Sequence, residues 1–170
     1  AGINLEDVQH IALNQDAKAN LGKKILFTLS KRPSFKMLLN RFQNKYKRLS
    51  VKDHILKAFP NSEFKGAIHS IEHHTAHLSS AFHVSPFNEA VAISVDGFGD
   101  FASTAWGTGH GIKINLEKRI YFPHSLGIFH QSLTQFIGFH NYGDEYKVMG
   151  LAPYGKPIYI KQMREIVKLK

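Results

Sequence analysis

The chain contains no cysteine. Disulfides, thiolate metal sites and cysteine nucleophiles are therefore excluded. Apolar runs near the roughly 20 residues of a membrane-spanning helix are also missing, and no signal-peptide pattern opens the chain, so a cytoplasmic protein without a membrane partner is expected. There is no internal repeat and no low-complexity segment. Acid is scarce in one stretch: residues 20–60 carry eleven Lys and Arg against a single acid, Asp53, within a chain of net charge +9. Such a block attracts nucleic acid, phosphate esters or acidic protein faces. It lacks the aromatic–basic alternation that stacks bases, so a solvated helix surface is expected and nucleic acid is not. Phe35, Phe42 and Tyr46 fall near helical spacing and are expected to face a core.

What is present fits a globular protein of one domain or two small ones, with 170 residues and 43% hydrophobic content. Residues 2–8 read as a helix end and linker entering a strand at Val8–Leu13. The chain starts in mid-element without Met, which reads as a piece of something longer. Asn14–Lys31 is polar around an apolar island at Ile25–Leu29, and a basic amphipathic helix is expected over 31–59. Ala67–Ile71 reads as a short strand and 73–83 as a helix stopped by Ser85-Pro86. The apolar run Ala90–Val95 resembles a strand covered on both faces. A turn at Asp96–Gly99, a strand at Phe101–Gly107, a turn at Gly107–Gly111 and a strand or strand pair at Ile112–Tyr121 follow. Ser125–Phe139 reads as a helix with Leu126, Phe129, Leu133 and Phe136 as its inner stripe.

The most informative stretch is Ile71-Glu72-His73-His74-Thr75-Ala76-His77. His73 and His77 stand at i and i+4, so on a helix both imidazoles reach one face and can share a metal ion. Nineteen residues after His77 comes Asp96-Gly97-Phe98-Gly99-Asp100. It supplies a carboxylate and glycines that let backbone amides approach a phosphate. Histidines, carboxylate and glycines together point to a metal-assisted nucleotide or phosphate site. Two imidazoles and a carboxylate suit iron, zinc, manganese or cobalt. His74 faces elsewhere. Glu72 is read as orienting a ring or capping the helix, Asp100 as a turn former or supporting acid, and the start of the helix after His124 as a second anion site. His69 and His83 are read as structural.

Three meandering strands followed by a helix are the opening of a ribonuclease H-like unit. The expected fold is α/β: a partial actin-like, duplicated ribonuclease H-like ATPase-type fold, with a mixed sheet flanked by helices. Residues 1–87 would form the later part of the first subdomain and 88–170 the start of the second.

The runs Glu72–Phe82, Asp96–Asp100 and Gly143-Asp144-Glu145-Tyr146-Lys147-Val148-Met149-Gly150-Leu151-Ala152-Pro153-Tyr154-Gly155 resemble the O-carbamoyltransferases of the nodulation-protein and antibiotic-tailoring type. The resemblance implies an actin-like domain related to the tRNA threonylcarbamoyladenosine transferases. It also implies a separate domain, not seen in this sequence, that makes carbamoyladenylate from carbamoyl phosphate and ATP. The carbamoyl group would then pass to the hydroxyl of a small-molecule acceptor beside a divalent metal, with iron the foremost choice. His73, His77 and Asp96 match the metal site, and Gly97, Phe98, Gly99, Glu145 and Lys147 the nucleotide or phosphate contacts. A later acidic ligand of the family is not found here, and the chain alone is expected to be inactive. A threonylcarbamoyl transferase-like enzyme and a non-catalytic nucleotide- or metal-binding module are the alternatives.

Overall fold

The computed structural model describes residues 2–31 and 51–168. It is a mixed α/β structure that divides into two compact units, Ala1–Ser125 and Leu126–Lys170. Most of the basic segment 31–59, with Phe35, Phe42 and Tyr46, lies outside the described residues.

The first unit opens with a single turn at Leu5–Asp7, strand β1 (His10–Leu13), helix α1 (Leu21–Lys31) and helix α2 (Val51–Ala58). Strand β2 (Ala67–Ser70) pairs with β1 in parallel, in the register His10↔Ala67 to Leu13↔Ser70. Across this pair Nδ1 of His10 lies 3.0 Å from Nε2 of His69, a hydrogen-bonded imidazole pair in line with a structural role for His69. The island Ile25–Leu29 falls within α1. Its Phe27 packs edge-on against Phe101 and Phe122, with ring centroids 5.7 and 4.9 Å away.

Helix α3 (His73–Phe82) and the antiparallel meander β3 (Glu89–Gly99), β4 (Ala102–His110) and β5 (Lys113–Tyr121) form the core. His74, Leu78 and Phe82 recur every four residues and are buried against the sheet, where Ala92, Ser94, Ala102, Ser103, Thr104 and Ala105 are buried too. This helical period makes one stripe of α3 apolar and leaves His73 and His77 on the neighbouring stripe. The expected subdomain boundary at residue 87 falls between α3 and β3, which pack on each other within this one unit.

Three sequence expectations change here. Asp96–Gly99 is not a turn: it is the irregular end of β3, where register shifts between Val95 and Gly99. The chain reverses at Asp100 and Phe101, both with left-handed φ, +48° and +74°. Nor is there a turn at Gly107, because β4 continues to His110 and Gly111 makes the reversal with φ +57°. Gly107 and Gly109 serve close packing instead. A Cβ on Gly107 would strike the Asn115 carbonyl, and one on Gly109 would sit 2.6 Å from the ring of Phe82. Finally, β3 is covered on one face only among the described residues, with Val91, Ile93 and Val95 exposed.

The second unit holds α4 (Leu126–Phe136), α5 (Glu145–Leu151), a turn at Ala152–Tyr154 and α6 (Ile160–Ile166), with α4 packed on α5. The expected inner stripe of α4 is not buried: Phe136 is 85% exposed and Leu126 half exposed, while Thr134 is the buried side chain.

Gly109→Ala should destabilise the fold by about 1–3 kcal/mol, because Phe82 is 4% exposed and its ring has no room to yield. Urea denaturation measures this. An unchanged midpoint would show that Phe82 does not rest on Gly109.

Candidate metal centre

The first turn of α3 is built by acids. Glu72 caps it, its Oε2 accepting from the backbone N–H of Thr75 at 2.9 Å and the Thr75 hydroxyl at 2.8 Å. Arg119, on β5, lies 3.2 Å from the same oxygen. Burial raises the Glu72 carboxyl, but the hydrogen bonds from Thr75 and Arg119 outweigh it and hold the group below its ordinary value. Capping is thus the role Glu72 performs. His74 faces inward, and its Nδ1 is 2.9 Å from the hydroxyl of Ser94.

On the neighbouring stripe, Nε2 of His73 lies 3.0 Å from Nε2 of His77 and 2.8 Å from Oδ2 of Asp96. The third side, His77 Nε2 to Asp96 Oδ2, is 3.5 Å. Donors about 2.1 Å from one ion lie roughly 3.0 to 3.4 Å apart, for octahedral and tetrahedral angles respectively. The triangle has the size of a coordination face. His73 is mostly covered while His77 and Asp96 are nearly half exposed, so the remaining side is open to solvent and to a ligand. These three residues could hold one divalent ion, and their nitrogen–oxygen donor set suits iron, zinc, manganese or cobalt.

The supporting contacts fit that use. Nδ1 of His73 is 3.2 Å from the carbonyl oxygen of Asn14, which accepts Nδ1–H and leaves Nε2 turned to the triangle. Asp96 is held below the usual carboxylate range, first by its hydrogen bond from His73, against burial, and further by the backbone N–H of Gly97 at 2.6 Å from Oδ1. The Ser125 hydroxyl donates to the carbonyls of Gly97, at 2.7 Å, and Asp96, at 3.2 Å, pinning the strand end. A Cβ on Gly99 would collide with the His73 ring, so glycine there admits the imidazole. Phe98 joins the ring cluster with Phe122, centroids 5.1 Å apart.

Glu145 and Lys147 lie on α5, in the second unit. Lys147 pairs with Asp144, at 2.7 Å. That hydrogen bond raises the Lys147 pKa and lowers that of Asp144, which also accepts from the Asn141 N–H. Sequence reasoning missed Asn14, Arg119, Ser94 and Ser125. Asn14 acts through its backbone carbonyl, which no side-chain pattern reveals. A polar Ser94 within an apolar strand was the available signal for a partner opposite.

A family model for the carbamoyltransferase N-terminus matches residues 20–169. The chain belongs to this family. An uncharacterized protein of Synechocystis is 46% identical over 89 residues, 52% of the chain and 14% of that protein. The nodulation protein NolNO of Sinorhizobium fredii is 39% identical over 87 residues, 51% of the chain and 13% of its own length. NolO of Bradyrhizobium diazoefficiens is 42% identical over 89 residues, 51% of the chain and 16% of its length. The matched region is thus about a seventh of each relative's length.

Glu72→Gln should lower stability at neutral pH by about 1–2 kcal/mol, since Arg119 loses a charged acceptor. The lowered folded-state pKa means that Glu72 contributes fully above its unfolded value, 4.5, and loses that contribution as pH falls through the lower folded value. The gap between wild type and variant should therefore close on acidification from about pH 5 to pH 3. Denaturant titrations across that range check it. A gap independent of pH would contradict the assignment.

Proposed function

We propose that this chain is part of the actin-like domain of an O-carbamoyltransferase, and that His73, His77 and Asp96 hold its divalent metal, with iron foremost and zinc or manganese next. The triangle of two imidazole nitrogens and one carboxylate oxygen, with sides of 2.8, 3.0 and 3.5 Å, carries this reading. Family membership supports the carbamoyl chemistry. The meander β3–β4–β5 followed by α4 supports one ribonuclease H-like unit. The duplicated fold, with residues 1–87 and 88–170 in successive subdomains, belongs to the same proposal and would make α3 and β3 neighbours from different subdomains.

In the proposed reaction carbamoyl phosphate, ATP and water first give carbamoyladenylate, with phosphate and pyrophosphate released. The acceptor hydroxyl oxygen then attacks the carbamoyl carbon, the bond from that carbon to the phosphate oxygen breaks, AMP leaves and the hydroxyl proton passes to a base. An ion bound at the triangle would supply Lewis-acid polarisation of the mixed anhydride. His73, fixed by Asn14, and His77 would orient the donor face, while Asp96 would lower the site's net charge. Nucleotide contact at Gly97, Phe98 and Gly99, and at Glu145 and Lys147, belongs to the same proposal. Phosphate at Gly97 would compete with the bond its N–H makes to Asp96, and phosphate at Lys147 with Asp144. The run from Gly143 to Gly155, which resembles the O-carbamoyltransferases, favours a hydroxylated small-molecule acceptor over the threonylcarbamoylation of tRNA.

The test uses the chain in its native polypeptide, with carbamoyl phosphate, ATP and a panel of hydroxylated acceptors. Chelation should abolish carbamoylated product and Fe²⁺, Zn²⁺ or Mn²⁺ should restore it. His77→Ala should reduce transfer by at least about 100-fold, the equivalent of the several kcal/mol a Lewis acid contributes. Undiminished transfer by the chelated protein or by His77→Ala would refute the metal's role.

A further inference from the structure

Asp100 sits at the tip of the β3–β4 hairpin, beside Phe101, which departs from what such a tip requires. Gly99 pairs with Ala102 across a two-residue reversal, Asp100-Phe101, with left-handed φ at both positions. Turns of this kind favour asparagine, aspartate or glycine at the first position and glycine at the second, and a bulky residue such as phenylalanine at the second is strained by about 1–3 kcal/mol. Two sets of contacts hold the arrangement. The Phe101 ring packs on Phe27 and Phe122. The Asp100 carboxylate reaches back under helix α3, and its Oδ2 accepts the backbone N–H of His73 at 2.9 Å and of Asp16 at 2.8 Å. The Asp100 carbonyl accepts from the side-chain amide of Asn20 at 2.9 Å.

One oxygen therefore joins the first residue of α3 to the segment after β1. Asp16 is two residues beyond Asn14, whose carbonyl accepts Nδ1–H of His73. The backbone and ring of His73 are thus gripped from the same segment. Gly99, the residue before Asp100, gives the ring its space. The hairpin tip controls His73 by three routes: a backbone hydrogen bond, the placement of Asn14, and close contact at Gly99.

We propose that Asp100 is the positioning residue of the metal centre: its carboxylate clamps the N–H groups of His73 and Asp16, which sets the Asn14 carbonyl on Nδ1 of His73 and aims Nε2 at His77 and Asp96. This rests on reading the triangle as a metal site. Asp100 does not touch the ion. The strained residue is its neighbour Phe101, consistent with the clustering of such strain at functional sites.

The decisive variant is Asp100→Gly. Glycine accepts left-handed φ at least as readily as aspartate, so it keeps the turn while deleting the clamp. Asp100→Asn keeps an acceptor oxygen and tolerates the same φ. Both are titrated with Co²⁺ in the full chain, following the d–d absorption bands. The ¹⁵N resonances of the His73 ring are also recorded without metal. Asp100→Gly should weaken Co²⁺ binding by about 10–100-fold, the range for loss of a supporting contact, and shift the bands. It should also let the His73 tautomer average, while Asp100→Asn recovers most of the affinity and the single tautomer. Asp100→Gly with wild-type affinity, bands and ring resonances would overturn the proposal. Two controls separate this from failure of the metal reading. A wild-type chain that binds no Co²⁺, or His77→Ala binding as tightly as wild type, would refute the metal reading, and the ring resonances would still decide whether Asp100 positions His73.

Discussion

Two imidazole nitrogens and a carboxylate oxygen converge at 2.8, 3.0 and 3.5 Å. Three such atoms stay this close only with positive charge between them, a proton shared as in the hydrogen bond from His73 to Asp96 or a metal ion in its place. The partly covered setting weakens solvent screening of that attraction. Much of the first unit can be understood as the framework that holds this arrangement. Helix α3 buries His74, Leu78 and Phe82, so its rotation about its own axis is fixed by core packing. That rotation places His73 and His77 beside the end of β3. The irregular register after Val95 then brings Asp96 to them instead of continuing the ladder.

The start of α3 is also instructive. A free helix N-terminus attracts anions through its unpaired N–H groups. Here Asp100 occupies the N–H of His73 and Glu72 that of Thr75. The two carboxylates satisfy the amides and complement the helix dipole, so the helix end offers little to a phosphate. Attraction for an anionic donor would fall to the ion itself. This accounts for an acid-rich rim around a centre that we propose for phosphate chemistry. It also explains why the glycines of the Asp96–Asp100 run serve packing, Gly99 for the His73 ring above all.

The helix carrying the histidine pair was legible because i, i+4 spacing is a property of one element. So were the meander and the family, whose motifs are contiguous. The convergence of His73, His77 and Asp96 follows from spacing plus one strand end, both visible in the sequence. The hairpin tip was misplaced because Asp-Gly-Phe-Gly carries stronger turn chemistry than Asp-Phe. Tertiary contacts of Asp100 and Phe101 override that local preference. Asn14 was out of reach because a backbone carbonyl has no residue-type signature. The glycines of β4 were read as a turn although their conformation is extended. Only the ring of Phe82 and the backbone at Asn115 explain them, and neither contact is local in sequence. In α4 the helical period was correctly read, but burial settled on Thr134. Periodicity locates a stripe and does not decide how much of it is covered.

The central claim is that His73, His77 and Asp96 share one ion. Anomalous diffraction at a metal absorption edge, from crystals grown with Zn²⁺ or Mn²⁺ and without chelator, tests it most directly. The account predicts a single strong peak about 2.0–2.2 Å from Nε2 of His73, Nε2 of His77 and Oδ2 of Asp96. A metal peak bound elsewhere, or none at the triangle with the metal in excess, would contradict it.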